Sequence, residues 1–264
     1  MRRFVSWNVN GIRACVRKGF LEWLPTARAD VIGLQETRCE RDDLPEALHR
    51  LPGLRHAHWV SARSRRGYSG VAILSRRAPG WVEDGLGDEA YDREGRFLLA
   101  RFDDVLLANV YFPKGSGTQR DNSRVPYKLA FTERVFDVLR HARRRYGLPV
   151  ILMGDLNVAP SPIDLARPRG NETTSGFLPE ERALLARCTA RTWVDTYRAL
   201  HPDGIQYSWW SNRTGVRERN VGWRIDHVLV TAELAARVRR AFVWDHVRGS
   251  DHCPVGIDLA DAAR

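Results

Sequence analysis

The segment Val150–Asn157 reads Val-Ile-Leu-Met-Gly-Asp-Leu-Asn, an apolar run that ends in two oxygen-bearing side chains. Short runs of this kind are typical of buried strands, and strand ends at one edge of a sheet converge in space. Three further apolar runs end in the same way: Phe4–Trp7 before Asn8, Val31–Leu34 before Gln35 and Glu36, and Val105–Val110 before Tyr111. The sequence therefore predicts a sheet whose rim gathers carboxylate, amide and phenol groups.

The rest of the chain alternates strand-like runs with helical patterns. The clearest helix runs from about Pro126 to Tyr146, with proline in its first turn and Gly147 after its end, and a second begins near Pro179. The predicted strands are Phe4–Trp7, Val31–Leu34, Gly70–Leu74, Phe97–Phe102, Val105–Tyr111, Val150–Met153, Tyr207–Trp210, Ile225–Val230 and Val255–Leu259. Because several lie too close together for helical crossovers, we expect a mixed-sheet α/β fold, and with no linker visible, one domain over residues 1–264.

The amino-acid composition indicates which classes of molecule the chain binds. The 264 residues are 43% hydrophobic, enough for a large core, yet no stretch approaches the roughly 20 apolar residues of a membrane span. The first residues, Met1–Trp7, pass directly into a strand-like run without a signal-peptide pattern, so we expect a cytoplasmic protein. The 42 basic and 32 acidic residues leave a net charge of +10, which favours nucleic acid as partner. An arginine-rich composition is the alternative explanation.

The 4 cysteines are scattered without C-x-x-C spacing, which predicts ordinary thiols rather than a zinc site or a disulfide framework. The C-terminal third is more informative. Asp226 lies inside the otherwise apolar predicted strand Ile225–Val230, where an ionised carboxylate is costly unless it is paired. His252 precedes the last predicted strand, so we expect an Asp226–His252 pair. A purely structural hydrogen bond between neighbouring strands is the alternative interpretation.

Seven motifs occur in an order that resembles a known family. They are Trp7-Asn8-Val9-Asn10-Gly11-Ile12-Arg13, Gly33-Leu34-Gln35-Glu36-Thr37, Gly70-Val71-Ala72-Ile73, Tyr111-Phe112-Pro113, Gly154-Asp155-Leu156-Asn157, Trp223-Arg224-Ile225-Asp226 and Ser250-Asp251-His252-Cys253-Pro254-Val255. Together they resemble the exonuclease III class of apurinic/apyrimidinic endonucleases, within the endonuclease/exonuclease/phosphatase superfamily.

The resemblance implies a fold and an activity. The implied fold is a DNase I-like α/β four-layer sandwich, in which two mixed β-sheets pack together with helices outside. The implied activity is Mg²⁺-dependent hydrolysis of the phosphodiester 5′ to an abasic site in double-stranded DNA, with Mn²⁺ as a substitute ion. We also expect 3′-phosphodiesterase activity on 3′-blocked ends, 3′→5′ exonuclease activity and a monomeric protein.

The resemblance also assigns roles to single residues. It implies metal ligation by Asn8, Asn10, Glu36 and Asp251. It implies catalytic roles for Tyr111, Asp155, Asn157, Asp226 and His252. It implies substrate contacts by Lys114, Trp209, Trp223 and Ile225, of which the last three resemble a pocket for a flipped-out abasic sugar. Asn10 stands where some relatives carry Asp, which favours a single metal ion.

Several alternatives stay open at the level of sequence. A metal-dependent phosphodiesterase acting on phosphoinositides or sphingolipids would share Asp155, Asn157, Asp251 and His252. A mainly exonucleolytic relative and a catalytically silent DNA-binding relative are two further classes. The pocket tryptophans could equally be core residues, and Lys114 could be a solvated loop lysine. The residue that moves protons in the reaction is not assigned.

Overall fold

The computed structural model describes residues 1–119 and 121–262, and β-strands form the frame of this part of the chain. The strands lie in two six-stranded sheets and one two-stranded ribbon. In chain order they are β1 (Arg2–Asn8), β2 (Val31–Gln35), β3 (His56–Val60), β4 (Val71–Ser75), β5 (Val82–Asp84), β6 (Phe97–Phe102), β7 (Val105–Tyr111), β8 (Val150–Asp155), β9 (Trp193–Asp195), β10 (Trp209–Trp210), β11 (Gly222–Trp223), β12 (Asp226–Thr231), β13 (Val238–Val243) and β14 (Val255–Leu259).

The first sheet has the order β13-β14-β1-β2-β4-β3 and the second β5-β6-β7-β8-β12-β9. Both are mixed, since β1 runs parallel to β2 and β7 parallel to β8, while the other pairs are antiparallel. Helices pack outside the sheets: α1 (Ile12–Arg17), α2 (Phe20–Ala27), α3 (Glu89–Asp92), α4 (Val125–Tyr146), α5 (Pro179–Thr189), α6 (Thr196–Leu200) and α7 (Ala232–Ala235).

Three apolar clusters separate the layers. The largest lies between the inner faces of the sheets and includes Phe4, Ile73, Leu107, Met153 and Ile257. A second cluster joins the first sheet to α1 and α2. A third joins the second sheet to α4. The predicted α/β four-layer sandwich of two packed mixed sheets flanked by helices is therefore confirmed.

Six of the nine predicted strands differ from the structure by one or two residues at an end, and for two of them the cause is visible. The predicted strand Tyr207–Trp210 pairs only over Trp209–Trp210, and the predicted strand Ile225–Val230 begins at Asp226. The physical reason lies at Ser208, whose hydroxyl oxygen accepts the backbone N–H groups of Ile225 and Asp226 at 3.1 and 3.0 Å. A side chain thus takes the donors that a strand ladder would use.

The topology brings the functional strand ends to one rim. β1 and β2 are parallel neighbours that end at Asn8 and Gln35, and β7 and β8 are parallel neighbours that end at Tyr111 and Asp155. β12 begins at this rim, with Asp226 directly opposite Asp155 in the antiparallel register. The site is therefore assembled from strands far apart in sequence.

A buried polar contact links the two sheets below the rim. The amide nitrogen of Gln35 donates to Asn109 Oδ1 at 2.6 Å, and the amide nitrogen of Asn109 donates to the carbonyls of Leu34 and Ala72. Gly33 makes room for this contact, since a Cβ there would lie 2.5 Å from Asn109 Oδ1. This close approach explains the glycine of the Gly33–Thr37 motif.

The four cysteines carry free thiols, as predicted, and only Cys188 is partly accessible. Within the described ranges, every helix is too short or too polar to cross a membrane.

Candidate active site

The rim between the two sheets holds a network of buried polar side chains centred on Asn8. Its amide nitrogen donates to Glu36 Oε2 at 3.0 Å and to Asp155 Oδ2 at 2.9 Å, while its Oδ1 accepts the backbone N–H of Asn10. The side chains of Asn8, Glu36 and Asp155 are buried. One amide therefore joins the carboxylate at the end of β8 to the carboxylate that follows β2.

Glu36 is held in an unusual conformation. Its φ is 55°, in the left-handed region that residues other than glycine seldom adopt and that is often found at functional sites. Burial alone would raise the pKa of Glu36, but the charges of Lys114 and Arg38 outweigh burial and hold that pKa below its ordinary value. Glu36 is therefore an anionic carboxylate at neutral pH.

Asp226 and His252 form the predicted pair. Nδ1 of His252 lies 2.8 Å from Asp226 Oδ2, which also accepts the hydroxyl of Ser208 at 2.6 Å. Burial lowers the pKa of His252, but the charge and hydrogen bond of Asp226, together with the charges of Asp155 and Asp251, outweigh burial and raise that pKa to about 9. The imidazole is therefore protonated at neutral pH, with Nε2 lying 3.9 Å from Asp155 Oδ2.

Asp155 has a different electrostatic environment. Burial raises its pKa first, and the charge of Asp226 on the adjacent strand raises it further, against the opposing charges of His252 and Lys114. A carboxylate whose pKa lies nearer to neutrality is a better proton acceptor than an ordinary one. Gly154 before it is required by packing, since a Cβ there would lie 1.9 Å from the carbonyl oxygen of Val110.

Asn157 and Tyr111 lie beside Asp155. Asn157, with φ 52°, donates its backbone N–H to Asp155 Oδ1 at 2.8 Å and its amide to Phe112 O at 2.8 Å. The Arg96 guanidinium lies 4.6 Å from the centre of the Tyr111 ring. Burial, followed by the charge of Glu36, raises the pKa of Tyr111 well above its ordinary value, so the phenol keeps its proton.

The remaining predicted metal residues form a second group at the rim. The Asn10 amide nitrogen donates to Asp251 Oδ1 at 2.8 Å, and the Trp209 indole donates to Asp251 Oδ2 at 3.0 Å. Burial alone would raise the pKa of Asp251, but the charge of His252 and these hydrogen bonds outweigh it and lower that pKa.

The donor set fits a hard divalent cation. Four carboxylates and two amides converge at this rim, and oxygen donors of this kind suit Mg²⁺. Asp155, Asp226 and His252 also offer ligand atoms within 4.8 Å of one another. Nδ1 of His252 is already held by Asp226 and its Nε2 faces Asp155, however, so this trio is better described as an ion-pair network, and Glu36 and Asp251 are the more suitable metal carboxylates.

The predicted substrate residues lie at the edge of this network. Trp209 and Trp223 pair across β10 and β11, with their rings 6.4 Å apart and nearly perpendicular. Both are partly exposed and pack on the buried residues Ile225, Leu165 and Phe177. They therefore line an apolar surface that is open to solvent, rather than part of the closed core.

Lys114 is exposed in the loop after β7. Its positive charge acts on Glu36, Asp155 and Asp251, so the lysine faces the site. The structure thus brings all thirteen predicted residues to one rim.

Sequence reasoning missed the residues that support this network. Arg38 forms an ion pair with Glu36, and Arg96 contacts the Tyr111 ring and donates to the Tyr111 carbonyl. Ser208 and Lys128 likewise bond to Asp226 and to the Asn157 carbonyl. Only Arg38 carried a signal, since it directly follows the Gly33–Thr37 motif that contains Glu36; the others become recognisable only when the strands are assembled.

A family model described as the endonuclease/exonuclease/phosphatase family matches residues 5–252. The chain belongs to this family. Its match spans both sheets and ends at His252, so all of the candidate site lies within it.

Relatives within the family refine the comparison. The chain is 39% identical over 258 residues to an exodeoxyribonuclease of Bacillus subtilis, covering 96% of this chain and 97% of the relative. It is 36% identical over 260 residues to the DNA repair nuclease APEX1 of Danio rerio, covering 98% and 82%. The predicted membership in the exonuclease III class is confirmed.

Solved structures of the family are similar throughout. An AP endonuclease from Archaeoglobus fulgidus has a TM-score of 0.85 with 29% identity, covering 98% of this chain and 99% of its own. The Neisseria 3′ phosphatase NExo, bound to a product DNA hairpin, has a TM-score of 0.87 with 27% identity, covering 98% and 99%.

Proposed function

We propose that this family member is a Mg²⁺-dependent DNA-repair nuclease that hydrolyses the phosphodiester 5′ to abasic sites. The observation that carries the proposal is the Asn8 amide, which joins Glu36 to Asp155 while protonated His252 faces Asp155 across 3.9 Å. Hydrolysis of a phosphodiester needs an oriented water, positive charge at the phosphate and a stabilised leaving oxygen. The rim offers a group suited to each task.

The chain's own residues divide the work at the phosphate. Asp155 orients the attacking water and takes up its proton, a role that its raised pKa favours. His252, held by Asp226, donates from Nε2 to a phosphate oxygen and stabilises the charge that develops there. Asn157 and Tyr111 are further donors to the same phosphate, and the raised pKa of Tyr111 keeps its proton available.

Glu36 and Asp251, with Asn8 and Asn10, would hold Mg²⁺, for which Mn²⁺ could substitute. When bound, the ion supplies positive charge that polarises the phosphate and stabilises the leaving oxygen. The lowered pKa values of Glu36 and Asp251 support this assignment, because both carboxylates are ionised and ready to bind a cation.

Substrate choice is assigned to the open apolar surface beside the network. Trp209, Trp223 and Ile225 would receive a flipped-out abasic sugar and exclude an intact nucleotide by size. Lys114 would contact a DNA phosphate. The net charge of +10, relatives named as AP endonucleases and a relative bound to a DNA hairpin support double-stranded DNA as substrate. Monomeric state and cytoplasmic location stay predictions.

A turnover assay tests the proposal. The protein is given Mg²⁺ and three duplexes, which carry an internal abasic site, a 3′-blocked nick or an undamaged recessed end. We expect the abasic duplex to be cut fastest, EDTA to abolish cutting, and added Mg²⁺ or Mn²⁺ to restore it. Glu36→Gln should raise the Mg²⁺ concentration needed for half-maximal rate, whereas Glu22→Gln, at an exposed position of α2, should not.

Two outcomes would contradict the proposal. Digestion of the recessed end without abasic incision would identify a mainly exonucleolytic enzyme. Release of phosphate from an inositol phosphate, with all three duplexes intact, would identify a phosphodiesterase that acts on other phosphoesters.

A further inference from the structure

A buried ion pair lies directly behind the turn that carries Asn157. Lys128 on α4 and Glu181 on α5 approach within 2.6 Å, Nζ to Oε1, and their side chains are 1% and 0% exposed. Such a pair is a weak source of stability, because apolar side chains of similar size often hold a fold equally well. A buried pair with fixed hydrogen-bond partners does, however, fix the geometry of whatever it touches.

Lys128 contacts the turn at Asn157, the part of the candidate site proposed to bind the phosphate. Its Nζ donates to the carbonyl oxygen of Asn157 at 2.7 Å. The backbone of Asn157 is in the left-handed region at φ 52°, a conformation that costs free energy unless its surroundings impose it. Lys128 supplies one of the contacts that impose it.

Glu181 contacts the segment that packs against Trp223, at the edge of the open apolar surface. Its Oε2 accepts the backbone N–H groups of Gly176 and Leu178 at 2.5 and 3.2 Å. Gly176 lies close to both Asn157 and Trp223, since a Cβ there would be 3.2 Å from the Asn157 carbonyl oxygen and 3.3 Å from the Trp223 ring. The next residue, Phe177, packs against Trp223 with ring centres 6.4 Å apart.

A third branch reaches the loop of Lys114. Oε1 of Glu181 accepts the hydroxyl of Ser175 at 2.9 Å, and Ser175 Oγ accepts the backbone N–H of Gly115 at 3.1 Å. The same two charges thus connect three segments: the Asn157 turn and the pocket wall at residues 175–178, which both follow β8, and the loop that begins at Lys114, which follows β7.

We propose that Lys128 and Glu181 are a positioning pair, which fixes the phosphate-contacting turn at Asn157 relative to the pocket wall at Trp223 and to the loop that begins at Lys114. The inference rests on the proposed function, because the Asn157 turn and the surface at Trp223 act together only if one substrate contacts both. The pair touches no substrate itself; it acts through Asn157, Gly176 and Ser175.

The main test is the double variant Lys128→Met/Glu181→Gln. It removes both charges and the bond to the Asn157 carbonyl, but glutamine keeps an oxygen for the N–H groups of Gly176 and Leu178. We expect the double variant to unfold cooperatively, which shows that it is folded. Its single-turnover cleavage rate should fall roughly 10- to 100-fold, since displacing a reacting group by about 1 Å has effects of that size. Combined with Asp155→Asn, the variant should also bind abasic and intact duplexes with more similar Kd values.

Two further variants keep the test decisive. Arg3→Met/Asp258→Asn removes another largely buried pair, 2.7 Å apart at the far end of β1 and β14, and should lower stability while leaving the cleavage rate unchanged. Ser175→Ala removes only the branch to Gly115, leaves the charges in place and should lower the rate roughly fivefold, as for one hydrogen bond. Ser175→Ala decides the question if the double variant does not fold.

Wild-type rates and wild-type discrimination in the Ser175 variant, and in the double variant where it folds, would overturn the proposal and leave the pair a purely structural element. The rates are measured on whichever duplex the unmodified protein cleaves. Failure of the unmodified protein on abasic DNA would therefore refute the proposed function, while the positioning role would still be tested on the duplex that is cleaved.

Discussion

Asp226→Asn should remove a pH-dependent part of the protein's stability. Although burial lowers the pKa of His252, Asp226, with smaller contributions from Asp155 and Asp251, raises it to about 9, against 6.5 for an unperturbed histidine. The difference of about 2.5 corresponds to about 3 kcal/mol at roughly 1.36 kcal/mol per pKa unit. The folded protein thus binds this proton more tightly than the unfolded chain does.

The sign of the pH dependence follows from that preference. The contribution is fully present below about pH 6.5 and is lost as the pH rises through about 9, with a fall of about 2 kcal/mol between pH 6 and 8.5. Urea unfolding of the metal-free protein in EDTA at these two pH values measures the fall. Unfolded cysteine thiols are about half ionised at pH 8.5, but they add the same loss of stability to both proteins and cancel in the comparison. We expect the wild-type free energy of unfolding to fall by up to about 2 kcal/mol more than that of Asp226→Asn does.

Asp258→Asn is the matched control. It also removes a buried carboxylate, but its partner Arg3, 2.7 Å away, stays charged throughout this range. The control should be less stable than the wild type at both pH values, with an unchanged difference between them. If Asp226→Asn and the wild type lose equal stability from pH 6 to 8.5, His252 is not the group that Asp226 holds protonated, and the reasoning fails.

Three further predictions separate the roles within the site. Asp155→Asn should lower kcat by roughly 10²–10⁴-fold with DNA affinity retained, and near wild-type turnover at saturating Mg²⁺ would remove Asp155 from the mechanism. Trp223→Ala, in the Asp155→Asn background, should narrow the Kd gap between abasic and intact duplexes without changing the salt dependence of binding; an unchanged gap would make Trp223 a core residue. Lys114→Ala should weaken binding to both duplexes and reduce the slope of log K against log salt by up to about one, and an unchanged slope would make Lys114 a solvated residue.

The strands of the sheets were predictable in proportion to their burial. The eight central strands were all predicted, three of them with the observed boundaries: β6, β7 and β14. The four missed strands of the six-stranded sheets, β3, β5, β9 and β13, are the four edges of those sheets, and the two-residue β11 was missed as well. An edge strand pairs on one side only, and its side chains are partly exposed, so sequences such as His-Ala-His-Trp-Val at His56–Val60 carry polar residues that hide the pattern.

The candidate site was predictable where a motif marked it. Glu36, Asp155 and His252 follow apolar runs or precede one, and the topology brings those ends together. Lys128 could not be predicted, because it lies within a long helix whose pattern gives no reason to single out one lysine. Its importance depends on the Asn157 carbonyl, which belongs to a strand end 29 residues away.

The pairing of β1 with β14 has a consequence for protein synthesis. These strands lie side by side although they are the first and last in the chain, and Asn8 at the end of β1 stands next to the segment that carries Asp251 and His252. On the ribosome, Asn8, Glu36 and Asp155 are therefore synthesised well before Asp251 and His252. Any polypeptide released early, before Asp251, lacks the imidazolium and one of the carboxylates. With the roles proposed for Asp251 and His252, a nascent chain would cut DNA only after the segment that carries these two residues has been translated.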